Sequence, residues 1–248
     1  MRLDGKTAIV TGGASGFGAG IARKFLTEGA RVMIADINGD AARDMATTLG
    51  PQAIAHQVDV ADAASVQAMA EAVSDQFGSL DILVNNAGVT HLPTPLEEVS
   101  EDDFDRVFSV NMKSVYLTAR SFVPQMKGRG TGAILNVAST AGLSPRPNLN
   151  WYNASKGWMI TATKTMAVEL ASSGVRVNAI CPVAGETPLL KSFMGEDTPE
   201  VRAKFLSTIP LGRFSTPEDM ANAACFLCSD EASMITGTAL EVDGGRCI

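Results

Sequence analysis

Short apolar runs alternate with amphipathic stretches along the whole chain, and this alternation limits the possible folds more than any other feature. The first six runs lack the polar alternation of half-exposed strands, so they predict parallel strands covered on both faces. A shorter run near the C-terminus is a candidate seventh strand. The predicted strands are residues 7–10, 31–35, 53–60, 81–84, 133–137, 175–180 and 239–242.

Helical patterns fill the intervals between these strands. The predicted helices are residues 18–28, 40–49, 63–77, 101–126, 151–171 and 217–229, with Asp62, Ser100 and Thr216 as N-caps. Repeated strand–helix–strand units imply right-handed crossovers. We therefore predict that residues 1–248 form one α/β domain, a doubly wound parallel sheet of about seven strands with helices on both faces. Residues 183–209 fit neither pattern and indicate a mobile substrate lid.

Composition excludes several classes of partner and compartment. With 46% hydrophobic residues in 248, the chain can bury a large core and is not disordered. Its net charge of −7 disfavours nucleic acid and anionic membrane surfaces. No run approaches the ~18 apolar residues of a membrane span, and the first residues lack a signal-peptide pattern, so we expect a cytoplasmic protein. Cys225 and Cys228 are interpreted as reduced core residues, and no metal site is expected.

A glycine-rich turn directly follows the first predicted strand and opens a helix. Residues 11–18 read Thr-Gly-Gly-Ala-Ser-Gly-Phe-Gly. Glycines at positions 12, 16 and 18 permit a tight turn and let a helix N-terminus face an anion. The turn lacks the Gly-Lys-Ser/Thr ending of a nucleoside triphosphate loop. It therefore predicts a site for the diphosphate of a dinucleotide.

Asp36 ends the second predicted strand, 18 residues after Gly18. A carboxylate there accepts hydrogen bonds from the adenosine ribose and repels a 2′-phosphate, and Ile37 and Asn38 supply no cation to offset it. The sequence therefore favours NAD over NADP. The other interpretation is that Asp36 only caps the following turn.

Tyr152 and Lys156 lie four residues apart at the start of a long helix, so they share one helix face. A phenol has an ordinary pKa of about 10, and a nearby cation lowers it. Such a pair beside an oxidised nicotinamide could remove the proton of an alcohol. A tyrosine and a lysine at this spacing on a helix are, by themselves, more often chance.

These motifs, in this order, resemble the short-chain dehydrogenase/reductase family, and the resemblance covers nearly the whole chain. It rests on the glycine turn, residues 85–88 (Asn-Asn-Ala-Gly), Asn111, Ser139, the Tyr-x-x-x-Lys at 152–156, and residues 242–245 (Val-Asp-Gly-Gly). It implies a Rossmann-type fold, NAD(H), and the catalytic residues Asn111, Ser139, Tyr152 and Lys156. The cofactor-binding residues that it implies are Gly12, Ser15, Gly16, Phe17, Gly18, Asp36, Ile37, Asp59, Val60, Asn86, Tyr152, Lys156, Gly185 and Thr187.

The resemblance also implies a mechanism. Tyr152 takes the hydroxyl proton of a secondary alcohol while hydride passes to the nicotinamide. Ser139 polarises the reacting oxygen, Lys156 lowers the pKa of Tyr152 and holds the nicotinamide ribose, and Asn111 positions a water for proton relay. Without the family context, Ser139 would be a turn residue at a strand end, and Asn111 a polar residue that kinks its helix.

One position departs from the family pattern. Members usually carry Pro-Gly after the sixth strand, whereas this chain has Pro182 and Val183, with a glycine displaced to Gly185. Because valine rarely adopts positive φ, we expect the nicotinamide loop to follow a different path, which puts the Gly185 contact in doubt.

The substrate pocket is predicted to draw on residues 89–95, 140–151 and the lid. Arg146 could grip a carboxylate or phosphate, although a surface or subunit-contact role is the plainer interpretation. Asn148 and Trp151 are further candidates, and His91 is expected to be a solvated loop residue. The small-molecule substrate is an alcohol or ketone, either a hydroxyacyl thioester, a polyol or sugar, or a cyclic alcohol.

Two alternatives to an NAD-dependent secondary-alcohol dehydrogenase stay open at this point. One is an NADP-dependent 3-oxoacyl-[acyl-carrier-protein] reductase, against which Asp36 counts. The other is a catalytically silent NAD-binding regulator, against which the presence of Ser139, Tyr152 and Lys156 counts. Apolar residues on more than one face of the helix at 101–126, together with the family pattern, predict a homotetramer.

Overall fold

The computed structural model describes all residues 1–248 and contains one parallel sheet of seven strands in the order β3-β2-β1-β4-β5-β6-β7. The strands are β1 (Thr7–Thr11), β2 (Arg31–Asp36), β3 (Ala53–Gln57), β4 (Ile82–Asn85), β5 (Gly132–Val137), β6 (Val175–Pro182) and β7 (Ala239–Val242). The strand order reverses between β1 and β4, which is the point where such sheets bind ligands. The doubly wound α/β fold is confirmed.

Nine α-helices cover the sheet. They are α1 (Gly16–Thr27), α2 (Gly39–Leu49), α3 (Ala63–Phe77), α4 (Glu101–Phe108), α5 (Ser114–Arg129), α6 (Asn150–Leu170), α7 (Leu190–Met194), α8 (Pro199–Leu206) and α9 (Pro217–Cys228). The three predicted N-caps are confirmed, since Asp62, Ser100 and Thr216 each accept a backbone N–H from three residues on. None of the helices is both long and apolar enough to cross a bilayer.

Two large apolar clusters hold the helices against opposite faces of the sheet. One joins α1 and α9 to β1 and contains Ile21, Phe25 and both Cys225 and Cys228. The other packs α3, α5 and α6 on the opposite face. Cys225 and Cys228 are buried free thiols, as predicted. The strands of a parallel sheet buried on both faces have no polar side, which explains why apolar runs identified them.

β3 is shorter and less buried than predicted. It ends at Gln57 rather than residue 60, and three of its five residues are only partly buried. It lies at the sheet edge, so only one neighbouring strand pairs with it. The residues beyond it, Val58 to Val60, leave the sheet and line the cavity described below.

The predicted single helix over residues 101–126 is also wrong in detail. A π-helical turn, Ser109–Lys113, separates α4 from α5. Such a turn inserts one extra residue into the helix and is often found at functional sites. It places Asn111 at a fully buried position facing the loop after β4.

The predicted lid is a folded segment. It contains α7 and α8, and its side chains form a separate apolar cluster of Val183, Leu190, Met194, Ile209 and Phe214. The sequence pattern missed these helices because they are too short, at five and eight residues, to show a helical period.

Candidate active site

One cavity of about 470 Å³ lies at the carboxyl ends of the strands, on both sides of the point where strand order reverses. Most of the predicted cofactor-binding residues line it: Gly12, Ser15, Gly16, Phe17, Asp36, Ile37, Asp59, Val60, Asn86, Tyr152, Lys156, Gly185 and Thr187. Gly18 does not. Ser139 lines the cavity, whereas Asn111 lies behind its wall.

The four glycines of the turn between β1 and α1 lie where an added Cβ would meet neighbouring atoms at 2.1 to 3.3 Å. Gly12 and Gly16 adopt positive φ, of 60° and 53°. A Cβ at Gly18 would lie 2.1 Å from the carbonyl oxygen of Gly12, so Gly18 shapes the turn from behind rather than lining the cavity. Ser15 is extended at the N-cap of α1 and its side chain caps no helix N–H. The first turn of α1 therefore presents backbone N–H groups to the cavity, as an anionic diphosphate requires.

Asp36 holds two segments of backbone at the end of β2. Its Oδ2 accepts a hydrogen bond from Ala14 N at 3.1 Å, and its Oδ1 accepts one from Asn38 N at 3.0 Å. The predicted capping of the following turn and the predicted position on the cavity wall therefore both occur. Each carboxylate oxygen retains lone pairs that can accept further donors.

Asn86 ties the end of β4 to the glycine turn. Its Nδ2 donates to Thr11 O at 2.8 Å and to Gly12 O at 3.1 Å, while its backbone N donates to the hydroxyl of Thr11 at 3.0 Å. The two strands on either side of the reversal point are thus fixed relative to each other beneath the cavity.

Tyr152 and Lys156 lie on α6 with their side chains buried at the other end of the cavity. Lys156 Nζ donates to Val137 O at 2.8 Å and lies 5.9 Å from the centre of the Tyr152 ring. Burial lowers the pKa of Lys156 to about 8, because the charged form loses its water.

The pKa of Tyr152 runs against the direction expected from the sequence. Burial raises the pKa of the Tyr152 phenol to about 12, and the adjacent Ser139 hydroxyl opposes that rise only in part. Burial of the phenol acts in the opposite direction to the two cations, Lys156 and an oxidised nicotinamide, that the sequence pattern places beside it.

Asn111 joins the loop after β4 to α6 through its side chain. Its Oδ1 accepts from Val89 N at 2.9 Å, and its Nδ2 donates to Val89 O at 2.9 Å and to Ser155 Oγ at 3.0 Å. Ser155 Oγ in turn donates to Tyr152 O at 2.7 Å. Asn111 thereby fixes the turn of helix that carries Tyr152.

Ser139 follows β5 and caps a short 3-10 turn, where its Oγ accepts from Ala141 N at 3.0 Å. This turn packs closely on α6 through Gly142. A Cβ at Gly142 would lie 2.7 Å from the carbonyl carbon of Lys156. The contact sets the separation between Ser139 and the helix that carries Tyr152 and Lys156.

The loop after β6 resolves the departure at Val183. Val183 is buried and does not adopt positive φ; Asn148 is the one non-glycine residue that does. The backbone N of Val183 donates to Val242 O at 3.4 Å, so the chain continues along β7 before it turns. Gly185 still reaches the cavity, where a Cβ would lie 2.4 Å from Phe17 Cζ. Gly185 therefore lies at the site although the residue after Pro182 is a valine.

The structure places the candidate substrate-binding residues differently from what the sequence predicted. Arg146 lines the cavity, whereas Asn148 and Trp151 do not. His91, expected to be solvated, is 1% exposed, and its Nδ1 contacts Leu92 O at 2.8 Å. Sequence reasoning missed Phe193 on α7, whose ring meets that of Tyr152 edge-on with centroids 5.0 Å apart. Its position depends on the fold of the lid, which no local pattern signals.

Comparison with known proteins assigns the chain to a family. The model of the family described as enoyl-(acyl carrier protein) reductase matches residues 12–246. The 4-formylbenzenesulfonate dehydrogenase of Comamonas testosteroni is 52% identical over the full length of both chains. The chain belongs to the short-chain dehydrogenase/reductase family. The family inferred from the sequence motifs is thus confirmed, and the chain is an oxidoreductase of this family.

Two further relatives extend the comparison. The D-threitol dehydrogenase of Mycolicibacterium smegmatis is 44% identical over 100% of this chain and 95% of its own length. The crystal structure of a 3-ketoacyl-(acyl-carrier-protein) reductase from Brucella melitensis, complexed with NADH, is 49% identical, with a TM-score of 0.95 over 99% of this chain and 100% of that chain. These neighbours support a nicotinamide cofactor, and in this short-chain dehydrogenase/reductase the glycines at positions 12 and 16 let the backbone of the turn line the cavity.

Proposed function

We propose that this protein is an NAD(H)-dependent dehydrogenase that interconverts an alcohol and its carbonyl compound. The arrangement of Ser139, Tyr152 and Lys156 at one end of the cavity carries the proposal. A hydroxyl, a phenol and an amine are brought together there from β5 and α6. They are buried or half-buried, and the glycine turn lies at the other end of the same cavity.

When bound, the oxidised nicotinamide accepts the hydride and adds a positive charge that favours the phenolate of Tyr152. Tyr152 takes the proton from the substrate hydroxyl, and in reduction it returns that proton to the carbonyl oxygen. The Ser139 hydroxyl hydrogen-bonds the reacting oxygen as its charge changes. Lys156, held by Val137 O, provides a fixed cation next to the Tyr152 ring.

Asn111 is assigned a supporting role in proton movement. Its Nδ2 donates to Val89 O and Ser155 Oγ, and its Oδ1 accepts from Val89 N and keeps one lone pair, so it fixes the site rather than contacting substrate. Both Asn111 Oδ1 and Lys156 Nζ lie against Gly88, at 3.4 and 3.5 Å from the position of a Cβ there. A water between them would link the Lys156 amine to Asn111, as the family resemblance implies.

The charge distribution in the cavity favours NAD over NADP. Four charged side chains line it, of which the acids Asp36 and Asp59 follow β2 and β3, and the cations Arg146 and Lys156 lie at the opposite end. A 2′-phosphate beside Asp36 would therefore meet a carboxylate with no lysine or arginine in the lining to offset it. The NADH held by the Brucella relative agrees with this preference.

A second candidate is a 3-oxoacyl-[acyl-carrier-protein] reductase, which the similarity to the Brucella enzyme favours. We prefer a dehydrogenase of small molecules, because the names of two relatives, the 4-formylbenzenesulfonate and D-threitol dehydrogenases, describe substrates that are not attached to a carrier protein. Comparing a 3-oxoacyl thioester with a small free ketone of the same chain length separates the two.

Replacement of Tyr152 by phenylalanine tests the proposal. We expect Tyr152→Phe to lower kcat by about 10²- to 10⁴-fold, the usual contribution of general acid–base catalysis. The Kd for NADH, measured by fluorescence, should stay within about threefold, because the ring and its packing remain. The chain contains only one other tyrosine, the exposed Tyr116 on α5, so Tyr116→Phe is the matched control. Equal turnover in the two variants would refute the assignment.

A further inference from the structure

Arg146 lines the cavity as a cation with no acidic partner. Nine ion pairs occur in the protein, and none includes Arg146. Its one side-chain hydrogen bond is from Nη2 to the hydroxyl of Thr208, at 2.9 Å. A guanidinium has five N–H donors, so most of its donors face the cavity or solvent without a protein acceptor.

The lid holds this guanidinium in place. Its carbon lies 4.4 Å from the centre of the Phe205 ring on α8, a cation–π contact that leaves the planar edge of the group free. Asn153 Nδ2 donates to Arg146 O at 2.7 Å and so fixes the backbone as well. The side chain is half-buried, and burial lowers the pKa of Arg146, with the neighbouring Arg246 acting in the same direction.

The surroundings of Arg146 contain a second cation rather than a counter-charge. Arg246 Nη1 donates to Ser144 Oγ at 3.1 Å, and Ser144 lines the cavity. The acids of the cavity, Asp36 and Asp59, belong to the far end, after β2 and β3. In a chain of net charge −7, Arg146 in the cavity lining, with Arg246 behind Ser144, is a local reversal of sign.

We infer that Arg146 binds an anionic group of the substrate, so that the protein acts on an alcohol or carbonyl compound that also carries a carboxylate, sulfonate or phosphate. This inference rests on the proposed function. The reacting C–O group lies at Tyr152, and the anion lies in the plane of the Arg146 guanidinium, which forms two parallel hydrogen bonds with such groups. The apolar side chains of Phe193 and Leu149, which line the cavity, are available for the carbon skeleton between them.

Matched pairs of ligands test the inference by direct binding. The probes are 3-oxobutanoate, 4-oxopentanoate and 4-acetylbenzoate, each compared with its uncharged methyl ester. They are titrated by calorimetry into the protein with NAD⁺, which carries no hydride to reduce them. A hydrogen bond to a charged group contributes about 1.5–3 kcal/mol. We therefore expect at least one acid to bind ~10- to 150-fold more tightly than its ester. Equal binding of every acid and ester overturns the inference.

Variants assign the preference to Arg146. Arg146→Gln should bring the acid to the affinity of its ester and change the ester by no more than about twofold, while Arg146→Lys retains part of the preference. Arg23→Gln removes the same charge from an exposed position on α1 and should change neither ligand. An equal loss for acid and ester in Arg146→Gln would mean that Arg146 only supports α8, and this would overturn the inference.

The wild-type protein gives an independent readout that needs no variant. The ratio of the affinities for acid and ester should fall when NaCl rises from about 0.05 M to about 0.5 M. Salt screens the attraction between Arg146 and the acid, whereas the affinity for the uncharged ester does not depend on it. A ratio independent of salt contradicts the inference. Turnover of uncharged alcohols with no preference for anions would overturn the anion site and leave the proposed function intact. Anion binding through Arg146 without turnover of any substrate would support the anion site and overturn the proposed function.

Discussion

At the scale of single residues, the account depends on a few side chains whose charge is set by burial. The sequence predicted Tyr152 and Lys156 on one helix face because spacing along a helix is a local property. It did not predict that Lys156 would donate to Val137 O, or that the pKa of Tyr152 would rise, because both depend on how β5 and α6 meet. His91 was misjudged for the same reason, since burial of a loop side chain depends on what packs over it.

Asp36 is expected to decide between the two nicotinamide dinucleotides. Asp36→Ala removes an acceptor for the ribose hydroxyls, so kcat/KM for NAD should fall ~10- to 150-fold, and kcat/KM for NADP should rise. Asp36→Asn keeps an acceptor oxygen for Ala14 N or Asn38 N, and it separates the effect of charge from that of the turn. Asp44→Asn, exposed on α2, is the control. An NAD/NADP ratio that is unchanged in both Asp36 variants would contradict this assignment.

Lys156 is expected to make stability depend on pH. Its pKa is lowered from 10.5 to about 8, so between these values the unfolded chain binds the proton that the folded protein lacks. Stability therefore rises with pH from about 8 to about 10.5, and the penalty for burying the charged amine is complete below pH 8. Relative to Lys156→Met, the wild-type free energy of unfolding should increase by about 2 kcal/mol between pH 8 and pH 10.

Urea unfolding of both proteins at the two pH values measures this difference. Comparing wild type with the variant cancels the contribution of Cys228, whose pKa burial raises to about 12, so that it lowers stability as pH rises above 9. A difference that stays constant from pH 8 to pH 10 would show that Lys156 keeps an ordinary pKa in the folded protein.

At the scale of elements, the sequence predicted what is periodic and missed what is short or irregular. The strands and the long helices followed from apolar runs and capping residues. The π-helical turn at Asn111 was hidden because one extra residue leaves the apolar pattern of 101–126 nearly unchanged. The lid helices α7 and α8 were missed because they are short, although α8 begins with a local start signal in which Thr198 accepts from Val201 N and Pro199 is the first helical residue.

The packing of the 3-10 turn on α6 is expected to be essential for the spacing of the catalytic groups. Gly142→Ala would place a methyl group 2.7 Å from the Lys156 carbonyl carbon and 2.8 Å from Gly157 N, so the turn that carries Ser139 must move away from α6. We expect a loss of about 1–3 kcal/mol in the free energy of unfolding, together with a lower kcat.

Gly128→Ala is the matched comparison, because it lies within α5 with open space around it. There alanine should stabilise the protein by about 0.4–1 kcal/mol and leave kcat unchanged. Thermal unfolding and steady-state rates on both variants check the pair. Retention of full activity and stability by Gly142→Ala would show that the Ser139 turn is not held by this contact.

At the scale of the whole molecule, the exposed apolar side chains point to an assembly. Phe108 and Tyr116 flank the π-helical turn on α4 and α5, and Val168 on α6 is 81% exposed. The sequence predicted a homotetramer through these helices, and large exposed apolar residues are typical of such interfaces. Sedimentation or light scattering should therefore give a mass four times 25.9 kDa.

A charge on one of these faces should weaken the assembly without unfolding the chain. Val168→Asp is expected to yield dimers or monomers with unchanged helix content, because the side chain makes no core contact. Ala64→Asp adds the same charge at an exposed position in the first turn of α3, where it favours the helix, and should leave the mass unchanged. A wild-type protein that sediments only as a monomer would refute the tetramer.

The central claim is that this fold transfers hydride between NAD and an alcohol or carbonyl substrate. The most direct measurement is NADH absorbance with NAD⁺ and, in parallel, NADP⁺, across secondary alcohols, polyols and 3-hydroxyacyl thioesters, with and without an anionic group. We expect turnover with NAD⁺ and far less with NADP⁺, because Asp36 lines the cavity after β2 and no lysine or arginine of the lining follows β2 or β3 to offset its repulsion of a 2′-phosphate. Turnover with NADP⁺ alone, or none with either cofactor on any of these substrates, would contradict the account.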